Sequence, residues 1–222
     1  MNRTAQPSLD WNSLDTVLLD LDGTLLDLAF DNYLWLGRVP EIYAEQNGLS
    51  VAEAQAALAP KFRAWRGQLK WYCIDFWSRE LSIDIAALHH AEAGRVAWLP
   101  GARGFLERVR ERGKRLVLMT NSHPTTLAIK DQQTGVLGFF DAAYSSHNFG
   151  APKENPVFWA ETRRVDGYVP SRSLFVDDSA DVLHAAIGAG IAHVYGVRRP
   201  DSSTDGHAHE EFQAIDSVAE LL

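Results

Sequence analysis

The stretch Val17-Leu18-Leu19-Asp20-Leu21-Asp22-Gly23-Thr24 decides the fold. Its apolar start carries no polar residue and the run is bounded by a glycine, the pattern of a strand buried on both faces of a parallel sheet. Two carboxylates, Asp20 and Asp22, follow where that strand should end. Burying them unpartnered costs several kcal/mol each, so something must compensate. The carboxyl ends of parallel strands are also where open α/β sheets place their ligand crevice. A divalent cation and a phosphate would supply that compensation.

Four further segments read the same way: residues 115–120, 142–145, 174–177 and 191–195. Helical patterns separate them at 105–111 (stopping at Gly113), 125–133, 155–165 and 179–189. Strands alternating with helices through short joints predict βαβ units and a Rossmann-like, doubly wound parallel sheet. The interval between the first and second strands breaks the rhythm. Residues 28–98 carry helical patterns only, including a capping box, Ser50-Val51-Ala52-Glu53, opening an Ala-rich helix expected to stop at Pro60. Trp65, Leu69, Tyr72 and Trp77 recur further on at roughly helical spacing. The reading is a core domain formed by 1–27 and 99–222, with a helical cap, 28–98, inserted after the first strand. The stretch 201–211 reads as polar loop.

Composition sets the outer bounds. With 222 residues, 46% hydrophobic, the chain can build one good core and a smaller second unit. A net charge of −8 argues against a nucleic-acid partner, and an anionic substrate then requires locally arranged positive charge. A single cysteine, Cys73, cannot form an internal disulfide, which fits a reducing compartment. The first fifteen residues lack the apolar core of a signal peptide, and no stretch is apolar and long enough to span a bilayer. The expectation is a cytoplasmic protein with no membrane partner and no obligate protein partner.

Every notable polar cluster outside the cap falls at the carboxyl end of a predicted strand. Asp20 and Asp22 close the first, Thr120-Asn121 the second, Lys153 lies in the loop after the third, and Asp177-Asp178 close the fourth. The ordered set resembles the Asp-dependent phosphatases of the haloacid dehalogenase superfamily. The resemblance implies that Asp20 is the nucleophile, forming an aspartyl-phosphate, and that Asp22 is the general acid/base. It implies that Thr120 and Asn121 hold phosphate oxygens and that Lys153 neutralises charge. Mg²⁺ would be held by Asp20, the Asp22 backbone carbonyl and Asp178, with Asp177 beside it, and Mn²⁺ or Co²⁺ could substitute. Two unit charges about 4 Å apart repel by roughly 4 kcal/mol at an effective dielectric near 20, so these carboxylates need a cation before a phosphate dianion can join them. A calcium loop does not fit, since its glycine stands at position six and it ends in glutamate. Asp181 reads as a helix first-turn residue, and His207 and His209 as a polar loop.

The cap portions narrow the resemblance. The run from Asp20 to Tyr33, Trp71-Tyr72-Cys73-Ile74-Asp75-Phe76-Trp77, Thr120-Asn121-Ser122-His123-Pro124 and Phe149-Gly150-Ala151-Pro152-Lys153-Glu154 are similar to bacterial GMP/IMP 5′-nucleotidases. That implies a purine mononucleotide as substrate. Trp35, Trp65, Trp71, Trp77 and Trp98 offer stacking faces, each worth about 1–3 kcal/mol to a base. Asn32, Asp31 or Asp75 would read the O6/N1–H edge, and His123 would reach the nucleoside from the sheet side. The alternatives are a sugar-phosphate phosphatase or a phosphomutase, the latter needing a second phosphate near Lys61, Arg63, Arg66 and Lys70. A non-catalytic phospholigand-binding protein would be expected to lack one of Asp20, Asp22, Lys153 or Asp178, and all four are present.

Overall fold

A computed structural model describes residues 9–206 and 211–222. His207 and His209 lie outside the described residues. Six parallel strands form one sheet: β1 (Thr16–Leu19), β2 (Arg115–Thr120), β3 (Ala142–Ser145), β4 (Ser173–Asp177), β5 (His193–Val197) and β6 (Gln213–Ile215), in the order β3-β2-β1-β4-β5-β6. The chain winds outward from β1 in both directions, so the topological switch point lies at β1 and β4, beside Asp20 and Asp177.

The apolar run of β1 is buried because helices cover both faces of the sheet. Val17 and Leu19 enter one core with Leu116, Leu118, Leu174 and Val176. Leu18, pointing the other way, joins Val117, Met119 and Phe175 in a second. The period-two alternation of a strand thus feeds two cores from one unbroken hydrophobic sequence. Helices α6 (Ala102–Glu111), α7 (Pro124–Thr134), α8 (Pro156–Asp166) and α9 (Ala180–Gly188) connect the strands.

Between β1 and α6 the chain is helical: α1 (Ala29–Asn32), α2 (Val39–Asn47), α3 (Val51–Trp65), α4 (Ile74–Leu81) and α5 (Ile85–Glu92). A π-helical turn, Tyr33–Arg38, joins α1 to α2. This insertion has a core of its own built on Phe30, Leu34, Leu58, Trp77 and Leu81. Trp77 stands at its centre, edge-on to Trp35, Phe62, Trp71 and Phe76.

Three details depart from the sequence reading. The Ser50–Glu53 capping box is present, but α3 runs through Pro60 to Trp65. Pro60 is exposed, so the carbonyl it orphans can meet water, while Phe62 and Trp65 beyond it pack on Trp77 and Phe76 and hold the last turn. Trp65, Leu69, Tyr72 and Trp77 do not share one helix. They fall on the end of α3, a 3₁₀ turn (Leu69–Tyr72) and α4, brought together by ring packing. Strand β6 follows the polar loop and is short and half-exposed, with little apolar pattern to announce it. Among the described residues no helix is long and apolar enough to cross a membrane.

Candidate active site

The backbone turns sharply after β1. Gly23 adopts φ +84°, and a Cβ there would lie 2.8 Å from the Asp178 carboxyl and 2.9 Å from Pro200. Only glycine allows both the left-handed turn and this approach, and Asp20 and Asp22, just before it, meet different lysines.

Asp20 meets the ends of β4 and the β3–α8 loop. Lys153 Nζ donates to Asp20 Oδ1 and, at 2.7 Å, to Asp177 Oδ2. The lysine side chain is 2% exposed, so this is a buried ion pair with one cation between two carboxylates. Asn121 Oδ1 accepts from the Lys153 backbone N–H at 2.9 Å, and Trp159 Nε1 donates to the Lys153 carbonyl at 2.7 Å, which fixes the loop. The second Asp177 oxygen accepts from Ser179 N–H at 2.8 Å. Oxygens of Asp20, Asp177 and Asp178 lie within 4.8 Å of one another. Burial, with repulsion from Asp177 and Asp22, pushes the Asp20 carboxyl up to about 7 despite Lys153. Burial first, then Asp177 and Asp20, pushes Asp178 well above the usual carboxylate range. The cluster is short of positive charge. Three converging carboxylates of this kind fit a hard, oxygen-seeking divalent cation.

Asp22 faces away, to a lysine absent from the sequence reading. Lys130 Nζ lies 2.6 Å from Asp22 Oδ1 and 2.8 Å from both oxygens of Asp31. Lys130 is 1% exposed, and although burial opposes its charge, Asp22 and Asp31 hold its pKa above the ordinary value. Burial lifts Asp31 to about 6. The signal was available: Thr126, Leu127 and Lys130 lie on one helical face of α7, so the lysine shares the buried side.

The remaining predicted residues are placed as follows. Thr120 Oγ1 accepts from Ser122 N–H at 2.9 Å, leaving its hydroxyl proton for another acceptor. Asn121 Nδ2 donates to Glu154, which also receives the Tyr72 hydroxyl from the insertion. Asn32 Nδ2 donates to Asp201 at 2.6 Å. His123 caps α7, its Nδ1 accepting from Thr125 N–H. Asp75 is exposed and 3.6 Å from His123 Nε2, outside the cavity wall. Asp181 lines the cavity.

That cavity, about 780 Å³, runs from Asp20 and Lys153 to a wall formed by Trp35, Phe62, Trp71 and Trp77. Arg66 and His89 also line it; the sequence reading placed Arg66 only in the phosphomutase alternative and His89 nowhere. His89 Nδ1 lies 2.8 Å from the Ile85 carbonyl, and burial pushes its pKa down to about 4, so the ring is neutral near pH 7.

A haloacid dehalogenase-like hydrolase model matches residues 14–190. The chain is 40% identical over 211 residues to the GMP/IMP nucleotidase YrfG of Escherichia coli, covering 95% of this chain and 94% of that one. It is 27% identical to a phosphoglycolate phosphatase of Pseudomonas putida over 79% of this chain and 66% of the other. In structure it is similar to a HAD phosphatase from Thermococcus onnurineus, TM-score 0.81 at 22% identity, covering 94% and 96% of the two chains. With strands, carboxylates and lysine arranged as described, the chain belongs to the haloacid dehalogenase-like hydrolase family and is one of its phosphomonoesterases.

Proposed function

We propose that the enzyme hydrolyses the 6-oxopurine mononucleotides GMP and IMP to nucleoside and phosphate. One observation carries this reading: the end-to-end similarity to a GMP/IMP nucleotidase extends through the insertion, where an aromatic wall closes a cavity that begins at the carboxylates. On this reading residues 28–98 are a substrate-selecting cap.

Asp20 is the nucleophile. Its carboxylate attacks phosphorus, the bond to the ribose oxygen breaks, and Asp22 protonates that oxygen. Asp22 then takes a proton from water, which attacks the aspartyl-phosphate and releases phosphate and Asp20. Lys130 holds the Asp22 side chain in place. Because both oxygens of Asp31 also bond to it, the lysine keeps a carboxylate partner whichever protonation state Asp22 adopts. The Thr120 hydroxyl and the Lys153 ammonium stabilise charge on the transferring group. Asp20 and Asp178, with the backbone of Asp22 and with Asp177 adjacent, would hold Mg²⁺. When bound, the ion would supply the positive charge that the carboxylate cluster lacks.

The base falls to the insertion. Asp31 and the Asn32 amide are engaged by Lys130 and Asp201, which leaves them as positioning groups. Arg66 lines the cavity, as Phe62 and Trp71 do, and has no ion-pair partner among the described residues. A guanidinium donates to O6 and N7 together, a pairing open to guanine and hypoxanthine but spoiled by the adenine amino group. Phosphate release from GMP, IMP, AMP, CMP, UMP, 2-phosphoglycolate and sugar phosphates, with Mg²⁺ or EDTA, tests the reading. Metal-dependent release from GMP and IMP, lost in Asp20→Asn and less selective over AMP in Arg66→Met, is the expected result. Preference for 2-phosphoglycolate would replace the purine reading with that of the 27%-identical relative.

A further inference from the structure

We propose that Cys73, His123 and His147 form a second metal site, for a soft divalent ion of the Zn²⁺ class, shared between the insertion and the sheet domain. Cys73 precedes α4 in the insertion, His123 caps α7, and His147 lies in the turn after β3. Their ligand atoms all lie within 4.8 Å of one another. Tetrahedral coordination with Zn–N near 2.0 Å and Zn–S near 2.3 Å sets ligand atoms roughly 3.5 Å apart. Closure therefore asks for movements of about an ångström from side chains that are neither exposed nor tightly buried. Thiolate and imidazole select Zn²⁺ and its neighbours over Mg²⁺, so this donor set is chemically distinct from the three carboxylates.

The hydrogen bonding of His147 points the same way. Ser145 Oγ donates its proton to the Ser122 carbonyl at 2.7 Å, so towards His147 Nδ1, 3.4 Å away, it can only accept. That places the imidazole proton on Nδ1 and leaves a lone pair on Nε2. Nε2 is fully buried and has no hydrogen-bond partner among the described residues. A buried acceptor without a donor is costly and calls for an explanation, and a metal ion is one. Ser145 then plays the outer-shell part that fixes tautomer and ring orientation for a ligating histidine. The rings of His123 and His147 stand edge to face, centroids 4.8 Å apart, and the Asp75 carboxylate lies 3.6 Å from His123 Nε2. Ligation through His123 Nε2 moves the imidazole proton to Nδ1 and gives up the 3.3 Å contact from Thr125 N–H, and Asp75 is then placed to approach the fourth coordination position.

An ion here would tie the insertion to the sheet domain beside the cavity that His123 lines. Co²⁺ titration of the full-length protein in excess Mg²⁺ tests the site, because a thiolate-to-cobalt charge-transfer band reports sulfur ligation and the carboxylate cluster cannot produce it. The expected result is a band that saturates at one equivalent, is displaced by Zn²⁺, survives Asp20→Asn and disappears in Cys73→Ser. His147→Gln should weaken Co²⁺ binding by ~10-fold or more, with circular dichroism confirming that both variants are folded. Co²⁺ binding without the band, or a band whose affinity His147→Gln leaves unchanged, overturns the proposal.

Discussion

Replacing Lys153 by methionine isolates the electrostatics of the carboxylate cluster. Methionine keeps much of the apolar stem, and the backbone contacts of residue 153 with Asn121 and Trp159 do not depend on the ammonium. Lys153 Nζ stands 2.7 Å from Asp177 Oδ2, where the gross attraction is about 6 kcal/mol at an effective dielectric near 20. Desolvation of the lysine offsets most of that and of the matching attraction to Asp20, and removing one partner of a buried pair costs roughly 3–5 kcal/mol in practice. A ceiling follows from protonation: neutralising a carboxyl whose ordinary pKa is 3.8 costs about 5.7 kcal/mol at pH 8. The expected loss in EDTA at pH 8 is therefore about 3–5 kcal/mol, a shift of about 1–2 M in the urea midpoint.

The pH dependence has a definite sign. Burial already raises Asp20 and Asp177 in the native protein, and without the lysine they rise further. The folded variant then binds more protons than the unfolded chain between their raised pKa values and 3.8. Its stability increases as pH falls through that window, by about 1.4 kcal/mol per pH unit for each extra proton. Urea titrations of both proteins at pH 8 and pH 5.5, with EDTA or Mg²⁺, should show a deficit that shrinks at the lower pH and shrinks again with the ion. Equal midpoints at pH 8 in EDTA, or a deficit that deepens on acidification, would refute the reasoning.

Two further outcomes are expected. Lys130→Met frees the Asp22 side chain, so steady-state turnover of GMP should fall about 10²-fold, the lower end of general acid–base contributions. A stopped-flow burst with p-nitrophenyl phosphate should survive, because nitrophenolate leaves without a proton, and loss of both together would assign Lys130 to folding alone. His89 stays neutral in the fold to about 4, whereas an unfolded histidine protonates near 6.5. Unfolded chains thus bind the extra proton, stability falls as pH drops through that window, and the contribution is about 2.5 kcal/mol between pH 7 and 4.5. His89→Gln should remove that much of the pH-dependent change in urea stability, and an unchanged slope would count against it.

The parts of the fold carried by apolar periodicity were legible in the sequence. Residues 115–120 and 142–145 are β2 and β3 as read, and β1 and β4 differ by a residue or two at their ends. The Pro60 stop failed because a proline penalty of about 3 kcal/mol yields to aromatic packing downstream, and β6 was hidden by its brevity. Residues placed by strand ends, such as Asp20 and Asp177, could be anticipated as neighbours because parallel register aligns those ends. The buried side of Lys130 could be read from its place with Leu127 on α7, but its partners Asp22 and Asp31 could not, since they depend on how α7 packs under the insertion. Nor could the meeting of Cys73 with His123 and His147, which come from segments far apart in sequence.

In the proposed mechanism the two buried lysines are what would let carboxylates two residues apart perform different tasks. Asp20 is held by Lys153 and Asp22 by Lys130, each with a second aspartate, Asp177 or Asp31, on the same ammonium. Together with Asp178, five carboxylates meet two lysines, leaving an excess of three negative charges when all are ionised. That excess lies within a chain of net charge −8, so a phosphate dianion arriving first would meet repulsion at both long and short range. A divalent cation removes most of the local excess. On the proposed reading this balance sets an order of filling: the cation would precede the phosphate, and EDTA should weaken binding of inorganic phosphate to the resting protein.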